Sequence, residues 1–195
     1  RFNSYVKYKG KNMKLNKLAM FAIASMAFSA TVAQAASGDG TITFTGKVID
    51  APCGIATESA NQAIDFGQIS KSLLEKDGIS QVKQIPIKLV NCDLTKAGSD
   101  TGAAGSYKGV KVTFNGNTIT GATEELATTG NTGTAIVISG TTTGSMVKFN
   151  EAGELQALGN NDNTLMYTAW AKKATNGTIA EGEFNATTNF TLAYE

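Results

Sequence analysis

Short runs of alternating apolar and polar residues recur along the chain and predict β-strands. Residues 85–89 alternate until the phase changes just before Cys92, which indicates a bulge. Residues 110–114 also alternate, and the Asn115-Gly116 pair that follows them is a hairpin signal. The continuous apolar run at 135–138 is typical of a strand that is covered on both faces.

A later run predicts another strand with two distinct faces. One face carries Leu165, Tyr167, Ala169 and Ala171, and the other carries Met166, Thr168 and Trp170. Residues 70–76 have the one helical pattern, which is one or two turns long, and loops are predicted at 98–105, 128–133 and 159–163. No repeat period and no interdomain linker is visible, so the pattern predicts one β-sandwich-like domain.

Two alternating stretches lie at the ends of this region. The first places Ile42, Phe44, Gly46 and Val48 on one face. The second places on one face Phe184, Ala186, Thr188, Phe190, Leu192 and Tyr194. On pattern alone, the simpler interpretation is that they are the first and last strands of a self-contained sandwich. Because chain ends usually fray, however, a strand that stays patterned to its last residues is expected to have a partner.

The first 35 residues predict a leader rather than folded protein. Residues 13–35 combine a basic start, an apolar run at 18–30 and the small residues Ala33 and Ala35. They predict a secretory signal peptide that is cleaved between Ala35 and Ala36. The apolar run is short for a membrane anchor. Residues 1–12 precede the first methionine and are expected to be untranslated or non-native.

The charge balance changes once this leader is set apart. The chain has 17 basic and 16 acidic residues, a formal charge of +1, but six basic residues and no acidic ones lie within positions 1–35. The remaining 160 residues therefore carry 11 lysines, no arginine and a net charge of −5. This balance argues against nucleic acid, which attracts basic patches, and against an anionic membrane surface.

The two cysteines, Cys53 and Cys92, are expected to form one disulfide, because an export signal implies an oxidising compartment. In the chain-entropy estimate such a bridge stabilises the fold by about 4 kcal/mol. No CxxC pair and no metal-ligand spacing is present, so the expected role is structural.

Composition also bears on catalysis. The chain has no histidine, which excludes histidine-based acid–base chemistry, Ser–His and Cys–His nucleophiles and histidine-ligated metal sites. Asp65, Glu124, Glu125 and Asp162 could pair for glycoside chemistry, but they are expected in loops or on the surface, with Glu124-Glu125 in a solvated turn. We therefore predict no catalytic residue, no metal, no cofactor and no enzyme activity.

A set of motifs follows the alternating N-terminal stretch with Gly46, namely VIDAPC at 48–53, IDFGQ at 64–68 and LVNC at 89–92. Gly182 is fourteenth from the end and Tyr194 is penultimate. In this order and at these spacings, the motifs resemble those of subunits of pili assembled by the chaperone–usher pathway, above all the major shaft subunits of P-type and type 1-like fimbriae. The resemblance covers nearly all of residues 36–195, and the set is far more specific than any one motif.

This resemblance implies an incomplete immunoglobulin-like β-sandwich that lacks its last strand, with residues 36–49 as a donor-strand extension and residues 50–195 as the pilin domain. A periplasmic chaperone would fill the empty groove with its own strand. At the outer-membrane usher, the arm of the next subunit would replace that strand. Identical subunits would polymerise into the shaft of an adhesive pilus outside the cell, joined by minor pilins or a tip adhesin.

The resemblance also implies roles for individual residues. The donor face would consist of Gly40, Ile42, Phe44, Gly46 and Val48. The acceptor edge, which also binds the chaperone, would consist of Gly182, Phe184, Ala186, Thr188, Phe190, Leu192 and Tyr194. The carboxylate of Glu195 would lie against basic residues of the chaperone.

The alternative is a self-complete secreted β-sandwich that binds glycans, with Trp170 and Tyr167 stacking on sugars. Both aromatics fall in the middle of a predicted strand, where large aromatics usually fill a core. A tip adhesin of the family carries an additional receptor-binding domain, for which the 160 residues after the leader leave no room.

Overall fold

The computed structural model describes residues 40–95, 106–140 and 144–195. The predicted signal peptide with its cleavage site at Ala33, Ala35 and Ala36, and the whole of the predicted loop at 98–105, lie outside the described residues. By its internal contacts the chain divides after Thr45, and the fold below is that of residues 46–195.

The described part of this unit is all-β apart from two short helices. In chain order the elements are β1 (Gly54–Ile55), α1 (Thr57–Ala60), α2 (Lys71–Glu75), β2 (Lys83–Cys92), β3 (Gly109–Asn115), β4 (Thr118–Ile119), β5 (Ala122–Ala127), β6 (Thr134–Gly140), β7 (Gln156–Ala157), β8 (Asn161–Lys173) and β9 (Asn189–Tyr194). One sheet has the order β1-β2-β8-β6-β5-β4 and the other the order β7-β3-β9, with every pair antiparallel. The predicted all-β, two-sheet architecture is confirmed.

The core lies where the alternating pattern predicts it. On β8, Leu165, Tyr167, Ala169 and Ala171 are all buried, and the residues between them are half-buried on the outer face. On β6, six of the seven residues are buried, as the continuous apolar run predicts for a strand covered on both sides. The two sheets therefore meet through apolar side chains, which is the main source of stability in such a fold.

A bulge and a disulfide fix the far end of β2, as predicted. The pairing of β2 with β8 shifts between Leu89 and Cys92, where Asn91 takes a left-handed φ of 53°. Cys53 and Cys92 form the disulfide, with their Cα atoms 4.1 Å apart and both side chains buried.

The predicted hairpin at Asn115-Gly116 is wrong. β3 and β4 flank this pair but belong to different sheets, and β3 pairs with β7 and β9 from much later in the chain. The Asn150 side chain binds both main-chain groups of Gly116, accepting from its N–H at 3.1 Å and donating to its C=O at 2.9 Å. The chain therefore crosses between the sheets here instead of reversing within one.

Two further expectations need correction and one is confirmed. The predicted loop at 159–163 is only partly a loop, because β8 begins at Asn161. The helix α1 is not predicted by the sequence pattern, because its four residues carry no apolar period. The buried hydroxyl of Ser59 in α1 accepts a hydrogen bond from the Lys88 N–H of β2 at 2.9 Å, which links the helix to the strand. The helical turn expected within residues 70–76 is present as α2.

The Glu124-Glu125 pair lies in strand β5, so its assignment to a solvated turn is wrong. Glu125 is only 6% exposed and accepts hydrogen bonds from the Lys172 ammonium and from both the N–H and the hydroxyl of Thr175. Burial opposes ionisation of Glu125, but these bonds outweigh it and lower the pKa of its carboxyl below 4.5. Through these bonds Glu125 joins β5 to the end of β8.

We expect removal of the disulfide to cost about 4 kcal/mol of unfolding free energy, because the open chain regains the entropy of a long loop. The double variant Cys53→Ser, Cys92→Ser tests this in guanidinium unfolding beside the oxidised protein. Equal midpoints for the two proteins would contradict a stabilising role for the bridge.

Glu125 should make stability depend on acid pH. Its pKa is lower in the folded state than in the unfolded chain, so its contribution is present above the unfolded pKa and is lost as pH falls through the folded value. Glu125→Gln should be less stable than the wild type at neutral pH, and its stability should fall less steeply than that of the wild type as the pH drops below about 4.5. Unfolding midpoints measured across a pH series check this, and parallel curves for both proteins would contradict it.

Candidate functional site

The last strand of the chain lies at an open sheet edge. β9 pairs with β3 from Asn189 opposite Asn115 to Tyr194 opposite Val110, and no other described strand pairs with its second side. An unpaired strand edge presents a row of free main-chain donors and acceptors, which makes it a template for another strand.

The hydrogen-bond phase shows which residues face this edge. The N–H of Glu195 donates to the C=O of Gly109 at 3.0 Å, and the Gly109 N–H donates back at 3.0 Å. Since inward and outward pairs alternate along an antiparallel ladder, the main-chain groups of Asn189, Thr191 and Ala193 point towards β3. Those of Phe190, Leu192 and Tyr194 point towards the open edge.

The same three residues carry the apolar side chains of β9. Phe190, Leu192 and Tyr194 are half-buried against the core, while Asn189, Thr191 and Ala193 between them are exposed. The Phe190 ring lies 6.4 Å from that of Phe114, and the Tyr194 ring lies 6.1 Å from that of Tyr107. Partial burial raises the pKa of the Tyr194 hydroxyl. One row of residues thus combines free main-chain groups with incompletely covered apolar surface.

A cleft lies beyond the start of β9 and is lined by residues before the strand. Its volume is about 1070 Å³, and it includes Phe66, Ile69, Leu74 and Phe184. The Phe66 and Phe184 rings are 6.4 Å apart. The apolar surface therefore continues before the first residue of β9, along the segment that leads into the strand.

The predicted acceptor residues do not all lie in one strand. Phe184 and Thr188 are half-buried, whereas Gly182 and Ala186 are exposed, and regular pairing begins only at Asn189. The Thr129 N–H donates to the C=O of Asn185 at 2.8 Å, which holds this segment against the opposite loop. Gly182 has a φ of 149°, a conformation that favours glycine.

The Glu195 side chain is bound within the chain. Its carboxylate lies 2.9 Å from the Lys111 ammonium, and both groups are partly exposed. Its C=O also accepts the N–H groups of Lys108 and Gly109. These bonds fasten the end of β9 to the start of β3.

The predicted donor segment is exposed and forms neither helix nor strand. Ile42, Phe44 and Val48 are 79%, 88% and 100% exposed, and residues 40–49 have no regular secondary structure. A Cβ atom placed on Gly46 or on Gly40 would meet nothing within 4 Å. Large apolar side chains in an alternating pattern normally require cover from water.

The candidate glycan and catalytic residues are not brought together. Tyr167 is buried, its hydroxyl accepts a hydrogen bond from Gln156, and burial raises its pKa, so its ring is unavailable for stacking on a sugar. Trp170 lies on the opposite face of β8. Asp65 accepts the Gly67 N–H within its own turn, while Asp162 accepts the Asn91 N–H beside the bulge. Each has a local structural role.

The structure also reveals contacts that the sequence did not indicate. Three aromatic rings pack against residues of the predicted acceptor edge: Phe66 against Phe184, Tyr107 against Tyr194 and Phe114 against Phe190. Of these three, only Phe114 could have been identified from the alternation of β3. Among the described residues there is no group of three or more side chains that could hold a metal ion, and no helix with the length and hydropathy needed to cross a membrane.

Comparison with known proteins gives consistent matches over most of the chain. Residues 42–195 match the family model for fimbrial proteins. KS71A fimbrillin of Escherichia coli is 46% identical over 178 residues, which are 89% of this chain and 95% of the relative. The Pap fimbrial major pilin protein of the same species is 46% identical over 162 residues, 81% of this chain and 85% of the relative.

Two solved structures share both the fold and the sequence. The crystal structure of the P pilus rod subunit PapA is 43% identical, with a TM-score of 0.67, and the match covers 74% of this chain and 100% of that one. The second is from the structure of a chaperone–usher pilus that reveals the molecular basis of rod uncoiling. The matched chain of that pilus is 44% identical, with a TM-score of 0.73, and the match covers 81% of this chain and 96% of that one.

Within β9, the two faces should respond differently to charge. Leu192→Asp places a carboxylate on the half-buried face, and we expect it to lower the unfolding free energy by about 1–3 kcal/mol. Thr191→Asp is the matched control because Thr191 is exposed on the same strand. Chemical unfolding of both variants checks this, and equal destabilisation would contradict the assignment of the two faces.

Proposed function

The chain belongs to the fimbrial protein family, and from that premise we propose that it builds a pilus shaft by donating residues 36–49 to the next copy of itself. Fimbrial proteins of this kind are structural subunits of extracellular pili and not enzymes. In this proposal residues 50–195 form the acceptor domain, and each copy both donates one strand and receives one.

The open edge of β9 is the observation that carries this proposal. Phe190, Leu192 and Tyr194 direct their main-chain groups to that edge and leave their side chains half-covered. An added strand satisfies both needs at once, since its ladder hydrogen bonds pair the main chain while its alternate side chains cover the apolar row. A globular ligand without an extended backbone would satisfy only the second.

The N-terminal arm has the chemistry of the missing strand. Ile42, Phe44 and Val48 are exposed and share one face of an extended segment with Gly40 and Gly46. Burying the three large side chains is worth about 5–9 kcal/mol at 1.5–3 kcal/mol each. Each ladder hydrogen bond adds about 0.5–1.5 kcal/mol net, and the entropy of association offsets part of the sum. Gly46 suits a position where the groove is too shallow for a side chain.

The same edge explains why the subunit would need a chaperone before assembly. An uncovered apolar row with free strand edges favours aggregation, so a lone subunit requires a temporary strand. In the periplasm a chaperone would supply that strand along β9. At the outer-membrane usher the arm of the incoming subunit would displace it. The predicted signal peptide and the Cys53–Cys92 disulfide are consistent with this route.

Further partners follow from the same joint. A tip adhesin or minor pilin with a compatible arm or groove could occupy the ends of the polymer, because strand addition recognises the main chain and the alternation of side chains. Since the stability of the completed subunit drives the exchange, assembly would proceed without nucleotide hydrolysis.

The two faces of the arm give a direct test. Phe44→Asp puts a charge on the proposed donor face, and Thr43→Asp puts it on the other face one residue away. We expect Phe44→Asp, and deletion of residues 41–48, to abolish polymer because a buried unpaired charge is strongly unfavourable. Thr43→Asp should polymerise normally. The measurement is gel mobility of surface material in SDS before and after boiling.

For the wild type, a ladder that collapses to one band on boiling is expected. The deletion variant should still be recovered in complex with its chaperone, since its groove is intact. Normal ladders from Phe44→Asp, or loss of the ladder from Thr43→Asp alone, would overturn the assignment of the donor face.

A further inference from the structure

The six-stranded sheet has an outer edge along β2, which the structure closes without a full strand. β8 pairs along one side of β2, whereas β1 pairs with the other side at only two residues, Leu89 and Val90. No described strand pairs with this outer side between Lys83 and Lys88. Left uncovered, such a stretch would be a second template for an added strand.

The α1 segment, which we define as residues 56–62, occupies the place of that strand. The Ser59 hydroxyl accepts the Lys88 N–H at 2.9 Å and donates to the Pro86 C=O at 3.2 Å. It thereby binds main-chain groups two residues apart on one side of β2, as the backbone of a neighbouring strand would. The Gln62 amide donates to the same Pro86 C=O at 2.9 Å. The Ala56 N–H donates to the Lys88 C=O at 3.0 Å.

These bonds account for all the outward main-chain groups of Pro86 and Lys88. Both groups of Lys88 and the C=O of Pro86 are bound, and a proline has no N–H to offer. Proline and a covering helix are two of the means by which proteins close a sheet edge. Ser59 is only 2% exposed, and the Glu58 carboxylate of the same helix lies 3.2 Å from the Lys88 ammonium on the outside. The α1 segment is therefore held to β2 at both levels.

The edge of β9 differs from the edge of β2 in each of these respects. The outward main-chain groups of Phe190, Leu192 and Tyr194 have no partner from the described strands, and β9 contains no proline. Both edges border the core, since Ile87 and Leu89 of β2 are fully buried. What separates the two edges is therefore access to the main chain, which the α1 segment denies at β2.

We propose that Ser59 and Gln62 determine where a donor strand can add, by closing the β2 edge so that β9 is the acceptor. The proposal rests on the proposed function, and it assigns these two side chains to the specificity of strand addition. A subunit with two acceptor edges could receive two donor strands, and its polymer would branch. With the β2 edge closed, each copy receives one strand and the polymer stays linear.

A labelled synthetic peptide of residues 36–49 tests this when it is added in excess to assembled full-length polymer. The β9 edges of such polymer are already filled, so the wild type should bind the peptide only at fibre ends. Ser59→Ala/Gln62→Ala removes both side chains that occupy the β2 edge, and we expect it to take up about one peptide per subunit. Ser59→Ala alone should take up less, because Gln62 still binds Pro86.

The matched control is Ser80→Ala, which removes an equally buried hydroxyl. Ser80 is 4% exposed, and its hydroxyl accepts the Ala171 N–H of β8 at 2.9 Å, the same distance as between Ser59 and Lys88. This bond faces β8 and not the outer side of β2. Ser80→Ala should therefore lose stability as Ser59→Ala does, yet bind no more peptide than the wild type.

Hydrogen exchange of the Lys88 amide locates the added strand. In polymer of Ser59→Ala/Gln62→Ala this amide should exchange faster than in the wild type, and excess peptide should restore its protection. If Ser59 only stabilised the domain, the faster exchange would appear without the recovery.

Three results would overturn the proposal: no more peptide on the double variant than on the wild type, equal uptake by Ser80→Ala, or a Lys88 amide that the peptide does not protect. Loss of the heat-sensitive SDS ladder in the Ser59 variants alone would also overturn it, because the α1 segment would then serve folding and not the choice of edge. A wild type without a ladder would instead refute the proposed function.

Discussion

The structure depends on one constraint, which is that a main-chain polar group beside an apolar core must find a hydrogen-bond partner. In the six-stranded sheet, the inner strands β2, β8, β6 and β5 each have a partner strand of the same chain on both sides. β9 meets this requirement on one side only, although its side chains belong to the core. The fold is therefore incomplete at β9 in two respects, since the outer main-chain groups lack partners from the described strands and the apolar row is only half covered. An added strand would supply both.

The rest of the domain holds this edge in a defined position. The β2 bulge and the Cys53–Cys92 disulfide close one end of the sandwich, and the Glu125 network ties β5 to the end of β8. The Lys111–Glu195 ion pair fastens the last residue of the chain. In the proposed assembly, these contacts hold the edge in place before the donor strand arrives, so less of the binding energy is spent on ordering it.

The sequence predicted those parts of the molecule that depend on local periodicity. The faces of β8, the buried run of β6 and the apolar row of Phe190, Leu192 and Tyr194 all follow from side chains that alternate across a strand. Parts that depend on distant partners were missed. Asn115-Gly116 has hairpin chemistry, but β3 finds its neighbours at the end of the chain, and Glu125 is buried because Lys172 and Thr175 reach it. Which main-chain groups of β9 face outward depends on the register with β3, which no local pattern encodes.

Residue-resolved hydrogen exchange of β9 amides in assembled pili tests the central claim most directly. β3 protects the amides of Asn189, Thr191 and Ala193, so these serve as an internal reference. If a donor strand fills the edge, the amides of Phe190, Leu192 and Tyr194 should be protected to a similar degree. An alternating pattern, with these three amides exchanging rapidly while the reference amides stay protected, would contradict the account.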